Sequence, residues 1–447
     1  MADIFPFKGI RYNIDKVGDL ANVATPPYDV ISEEEQEMFY ERHPNNIVRL
    51  DKGKPSENDN NEDNPYTRAA AYFENWLEDG ILAKDQAPCF YLTTVEFSIN
   101  DQTYTRFGLI ARVRLEPFEN GVILPHEETY SKIKSERLEL MKACHANFSH
   151  IFSIYTDQDD IMGTLKSAVS DTDPDVEFTD DAKHHHKMWC ISDSQIQASV
   201  TESLNSRRLF IADGHHRYET ALSYRDWLAE NDPDFGPDHP ANYIMMYLCA
   251  IQDPGLIILP THRLLTRVSA TERNTFVSKA DQYFDVQTFS FDENDPDHDK
   301  DQARAKLLAA MKSAADRHIL GGYIKGYPEF YTFSLKPDVM KQKFSKEIPE
   351  PLRELDVTVL TRIILTELLE FDHKDLDNET LISYTSNASE AIEAIDEGEA
   401  DMAFILNPPS NEQVRQIAEA GYTMPRKTTF YYPKAVTGQV MNSLSTT

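Results

Sequence analysis

This chain has little positive charge, few cysteines and no long apolar run. Against 75 aspartates and glutamates stand 44 lysines and arginines, a formal net charge of −31 over 447 residues. A general DNA or RNA binder needs a basic face to neutralise phosphates. The balance opposes that role and leaves room only for a local basic patch. Such acidity favours solubility and suits a saline cytoplasm. The four cysteines, Cys89, Cys144, Cys190 and Cys249, are far apart and show no paired spacing. A disulfide framework or thiolate zinc site is therefore disfavoured, and the residues read as reduced, buried thiols. The longest apolar run, residues 243–251, falls short of the roughly 20 residues that span a bilayer. The opening MADIFPFKGIRYN has no apolar signal core. Together these absences predict a cytoplasmic protein without a membrane partner. There is no G-x-S-x-G elbow and no P-loop, which argues against a serine hydrolase or a Walker ATPase. No repeat of about 20 to 50 residues is found.

What the chain does have is concentrated in RRLFIADGHHRYETALSYRDW, residues 207–227. The apolar centre Leu209-Phe210-Ile211 reads as a short buried strand. Gly214 permits a sharp reversal. From His215 on, Tyr218, Ala221, Leu222 and Leu228 recur at roughly helical spacing. Asp213, His215, His216 and Arg217 thus sit at a helix N-terminus, where free N–H groups favour phosphate. Arg217 adds a two-pronged donor and Asp213 a carboxylate for a metal or a substrate hydroxyl. The alternative is an Asp cap beside two surface histidines.

Around this core the pattern alternates. Residues 52–64 form a polar break read as a mobile loop, and a helix is predicted over 65–79. Strands are expected near 89–99, 104–115, 148–155, 187–191, 243–251 and 256–259, with a helix over 134–146. The acidic stretch 157–181 reads as peripheral apart from one short helix. Further on, helices are expected near 270–283, 302–315, 357–369, 388–397 and 411–420. A strand is expected at 402–406 and a final helix from Ala435. The order predicts an α/β (α+β) protein with a mixed sheet. An N-terminal α/β region would span residues 1–265, and a C-terminal α+β region would span 266–447.

Four further stretches could carry chemistry. In TPPYDVIS, two prolines stiffen the approach to Asp29, as a general base or metal ligand requires; the alternative is a helix cap. LPHEETYSKIKSER packs His126, Glu127 and Arg137 into a short polar span. His126 and Glu127 suit acid–base chemistry or Mg²⁺ binding, or a solvated loop of ion pairs. This is not the zinc signature His-Glu-x-x-His, because position 130 is tyrosine. Asn147, in CHANFSHIF, orients a ligand or caps a turn. MPRKTTFYYPK places Lys427 and Thr428 before an aromatic run, fit for a phosphate or carboxylate, or for a plain basic turn. LPTHRLL puts Arg263 just after a strand, where α/β proteins often keep ligand residues. The triple His184-His185-His186 could bind a metal, though a polar lead-in to a strand is the simpler reading.

The Asp-Gly-His-His-Arg segment resembles the phosphate-binding motif of the ParB/sulfiredoxin-like fold, in the form found in free serine kinases. The wider set FPFKGIRYN, TPPYDVIS, HPNNIVRL, LPHEETYSKIKSERLELMKACHANFSHIF, IADGHHRYETALSYRD, LPTHRLL, LDVTVL and MPRKTTFYYPK resembles the family called domain of unknown function 1015. The resemblance implies a ParB/sulfiredoxin-like mixed-sheet core whose C-terminal region completes the site. It implies a phosphotransferase acting on a small hydroxy amino acid such as serine, with ATP or ADP as donor. Gly214, His215, His216 and Arg217 would cradle phosphate. Asp213 and Asp29 would hold Mg²⁺ or position a hydroxyl. Lys427 and Thr428 would bind the substrate's anionic end. A phosphatase acting on the same phosphorylated metabolite and a non-catalytic nucleotide sensor are the alternatives; a DNA-binding regulator conflicts with the charge.

Overall fold

The structure, a computed structural model, describes residues 2–126, 131–205, 207–292, 299–314 and 317–446. The chain forms two compact units. One comprises Met1–Ile257 with Tyr431–Thr447, the other Ile258–Phe430.

The first unit is built on a nine-stranded mixed sheet. Its order is Ile123–Leu124, Leu209–Asp213, Ile151–Tyr155, Tyr243–Ala250, Gln102–Arg114, Phe90–Ile99, His185–Ile191 and Val176–Thr179, with Ile4–Phe5 paired to Gln102–Arg114. Leu209–Asp213 runs parallel to Ile123–Leu124 and antiparallel to Ile151–Tyr155. The central strand Tyr243–Ala250 is buried along nearly its whole length, as its unbroken apolar run requires. Helix His215–Asn231 lays Tyr218, Ala221, Tyr224 and Leu228 into the core formed with Leu209, Ile211, Met246 and Leu248.

Two expectations fail here. The acidic stretch after residue 157 is not wholly peripheral, because Val176–Thr179 forms the edge strand of the sheet, paired to His185–Met188. No helix starts at Ala435. Thr437 bridges to Thr25, Met441 bridges to Ile10, and Asn442–Ser443 pairs with Ala146–Asn147. The polar loop over residues 52–64 is linked to the helix that follows it. Arg68 pairs with Asp59 at 2.8 Å and with Asp63 at 2.6 Å, and Asn64 caps the helix Pro65–Glu78.

The second unit is a six-stranded, wholly antiparallel sheet. Its order is Phe284–Ser290, Glu329–Leu335, Ile319–Ile324, Met402–Ile405, His262–Leu265 and Ile382–Thr385. Helices Lys300–Ser313 and Ala388–Asp396 cover it, burying Leu307, Met311, Ala391, Ile392 and Ile395 against Phe330, Ala403 and Ile405.

Candidate functional site

The motif strand ends in an irregularity that shapes the site. Between Ile211, opposite Ser153, and Asp213, opposite Phe152, the register slips. Such a bulge re-aims the side chain at its end. Gly214 follows with φ +94°, and helix His215–Asn231 starts with no side chain capping it. A Cβ on Gly214 would lie 3.0 Å from the Arg217 guanidinium, which therefore folds back over the turn.

Asp213 is clasped by two cations. Arg217 Nη2 donates to its Oδ2 at 2.6 Å, and the Lys434 ammonium donates to its Oδ1. All three side chains are largely buried. Burial opposes the charge on Asp213, but Lys434 and Arg217 outweigh it and hold the carboxyl well below its usual range. The other prong of Arg217 donates to the carbonyl of His150. Burial and Arg217 push His150 down to about 3, so its ring is neutral. That ring stacks on Tyr247, and its Nε2 has no hydrogen-bond partner.

His126 and His215, singled out in separate motifs, come together. The His126 backbone N–H donates to His215 Nε2 at 3.2 Å, and the rings are 4.7 Å apart. Both are buried. Burial and the neighbouring His126 keep His215 well below its ordinary pKa. His216 is half-buried on the same helix. Glu127 lies outside the described residues.

A second ion pair completes the neighbourhood. Arg137 donates to the Asp51 carbonyl at 2.7 Å and to its Oδ1 at 3.2 Å, and lies 3.8 Å over the Tyr28 ring. Asp51 is buried, its Oδ2 unpartnered, and burial pushes its carboxyl up. Asp51, Arg137, Asn147 and Arg217 line one cavity of about 40 Å³. Asn147 also ties down the C-terminal segment, because its Oδ1 accepts from Asn442 Nδ2 at 3.0 Å. Asp29 sits exposed on the short turn Tyr28–Val30, within electrostatic reach of Arg217. Lys434, His150, Tyr247 and Arg106 line a smaller cavity. Arg106 is 1 % exposed and its Nη1 has no partner.

In the second unit, Arg263, Lys427 and Thr428 share a cavity of about 230 Å³ with Arg317, His318 and Asp356. Arg263 is buried and donates to the carbonyls of Thr261 and, at 2.9 Å, Lys427. Thr428 spends its hydroxyl on the Pro425 carbonyl, and Lys427 is exposed with φ +54°. Asp356, at 3.0 Å, raises the pKa of His318.

Sequence reasoning missed Lys434, Asp51, His150 and Arg106. Lys434 closes the same motif as Lys427, and nothing local tells which lysine meets Asp213. Asp51 and Arg106 sit in segments with no chemical signature.

A variant of free serine kinase bound to ADP is similar in structure at 11 % identity and a TM-score of 0.34, covering 72 % of this chain and 86 % of that one. A conserved hypothetical protein from Pyrococcus furiosus is similar at 11 % identity and a TM-score of 0.33, over 75 % and 95 % of the two chains. SbnI from Staphylococcus aureus, with a C-terminal truncation, reaches 11 % and 0.34 over 74 % and 86 %. No curated protein matches the sequence significantly. A family profile matches residues 4–358, which carry Asp51, Arg137 and the Asp213–Arg217 segment, and the chain thus belongs to the protein family of unknown function DUF1015.

Proposed function

We propose that this protein is a phosphotransferase that binds a nucleotide phosphate at the N-terminus of helix His215–Asn231 and passes a phosphoryl group to a small hydroxy amino acid such as serine. The observation that carries the reading is the uncapped helix start beside two buried cations, Arg217 and Lys434, held in place by Asp213. Two cations against one carboxylate, with a helix dipole behind them, leave a local positive field in a strongly acidic chain. The orphaned Nη1 of Arg106 adds a buried donor that an anion would satisfy.

Phosphoryl transfer asks for positioning and charge neutralisation more than for a covalent nucleophile. Gly214, His215, His216 and Arg217 would cradle the phosphate. Both oxygens of Asp213 already face cations, so this carboxylate suits holding Arg217 and Lys434 rather than ligating a metal. A divalent ion such as Mg²⁺, which would neutralise the donor's phosphates, would find its carboxylates in exposed Asp29 and buried Asp51. Asp51, raised in pKa and with its Oδ2 unpartnered, is also suited to take the proton of a substrate hydroxyl. In the second unit, the cavity lined by Arg263, Lys427 and Thr428 would take a small anion.

The test is calorimetry with ADP and ATP, followed by phosphorus NMR of serine incubated with either nucleotide. Phosphoserine should form. Arg217→Ala should weaken nucleotide binding by about 1.5–3 kcal/mol, the range for charged hydrogen bonds. Asp29→Asn should keep binding and lose turnover. An unaltered affinity in Arg217→Ala would remove this site; tight binding without transfer by the wild type would favour the sensor.

A further inference from the structure

The hairpin formed by Val176–Thr179 and His185–Ile191 carries a second group of reactive side chains. Its turn is tight. The Asp180 backbone N–H donates to the His184 carbonyl at 3.0 Å, and Lys183 takes φ +66°. This wraps the Asp180 carboxylate back over the strand. Its Oδ1 accepts from the His184 backbone N–H at 2.9 Å. Its Oδ2 lies 3.0 Å from His184 Nδ1 and 2.9 Å from His186 Nε2. Two residues apart on extended chain, the imidazoles face the same way. His184 is 7 % exposed and His186 3 %.

We propose that Asp180, His184 and His186 form a three-ligand site for a divalent transition metal of the zinc class, with water as fourth ligand. One oxygen and two ring nitrogens lie within 4.8 Å of one another. A tetrahedral zinc with ligand bonds near 2.1 Å sets its ligands about 3.4 Å apart, so the oxygen–nitrogen distances of 3.0 and 2.9 Å need only small adjustment. A nitrogen-and-carboxylate set suits zinc, cobalt and nickel better than magnesium or calcium. On loading, the ring nitrogens that face Asp180 give their lone pairs to the metal; a neutral ring then carries its one proton on the other nitrogen, and a doubly protonated ring releases one proton to solvent. The outer partner is present too: His184 Nε2 lies 2.9 Å from the Tyr432 hydroxyl, which fixes the ring's orientation. The His186 ring is held flat against Phe178, 4.7 Å between centroids. Asp180 also borders a cavity of about 190 Å³, room enough for a water beside the carboxylate.

The experiment uses the full chain without a histidine tag, stripped with chelator and titrated with Co²⁺ and Zn²⁺. One equivalent should bind, and Co²⁺ should give the intense visible absorption of a four-coordinate site. His184→Asn, His186→Gln and Asp180→Asn should each weaken binding at least 100-fold, and Tyr432→Phe about tenfold. Asp213→Asn should leave it intact, which separates this site from the proposed phosphate site. Circular dichroism checks that each variant is folded. Failure of the wild type to bind one equivalent, or unchanged binding in a folded His186→Gln variant, would overturn the proposal and leave a carboxylate–imidazole network. Both the wild-type titration and its Co²⁺ spectrum stand whether or not any variant folds.

Discussion

The two lysines of MPRKTTFYYPK show how little a residue's chemistry says without its surroundings. Lys434 closes on buried Asp213, whereas Lys427 stands exposed. Removing the Lys434 ammonium strips the carboxylate of one of its two cations, and a charged hydrogen bond is worth about 1.5–3 kcal/mol. Lys434→Met should therefore destabilise the protein by about that much in urea unfolding at pH 7. Lys427→Met should change stability by less than about 0.5 kcal/mol, as exposed substitutions do. The reverse ranking would remove Lys434 from the cluster. The depressed pKa of Asp213 has a sign that can be checked in the same assay. The folded state holds it ionised more readily than the unfolded chain, so its contribution is present above the ordinary carboxylate pKa and fades as pH falls below it.

At the level of the element, the strand–turn–helix of residues 209–231 is the best-determined piece. A buried apolar triplet makes the strand, a glycine turns it, and a helical apolar stripe returns it to the sheet. The turn tolerates glycine alone for two reasons, its φ of +94° and the Arg217 guanidinium 3.0 Å from any added Cβ. Gly214→Ala should cost about 1–2 kcal/mol in backbone strain and displace Arg217 as well. Unfolding in urea and nucleotide calorimetry on the same variant should both move. Loss of stability with full affinity would show that Arg217 does not depend on this turn. The C-terminal segment behaves in the opposite way. Ala435 onwards reads as helix, yet its backbone groups find partners at Thr25, Ile10 and Asn147. Those pairings join residues hundreds of positions apart, and no local propensity reports them.

At the scale of the molecule, three histidines buried in neutral form make the fold sensitive to acid. His150 is pushed down to about 3 and His262 to about 4, in both cases by burial first, and His215 lies well below its ordinary value. Between the unfolded value near 6.5 and the lowered folded values, the unfolded chain binds protons that the native one refuses. Stability should then fall as pH drops through that window, by up to about 1.4 kcal/mol per pH unit for each histidine. His150→Phe keeps a ring against Tyr247 and removes one titrating group. It should flatten the slope of unfolding free energy between pH 6 and 4 by a corresponding share. An unchanged slope would mean that His150 is protonated in the fold.

By itself the sequence determined the class of fold, most of its helices and strands, and the Asp213–Arg217 segment. Each of these is written in neighbouring residues, as an apolar period, a glycine or a cap. Membership of DUF1015 is written the same way, in motifs spread along the chain. Only the tertiary structure decided that Lys434 is the cation on Asp213, that Asp51 pairs with Arg137 behind Arg217, and that Asp180 gathers two of the three consecutive histidines. The physical reason is common to all three. A buried charge is tolerable only where another part of the chain supplies its partner, and which part does so is fixed by the packing of the sheet.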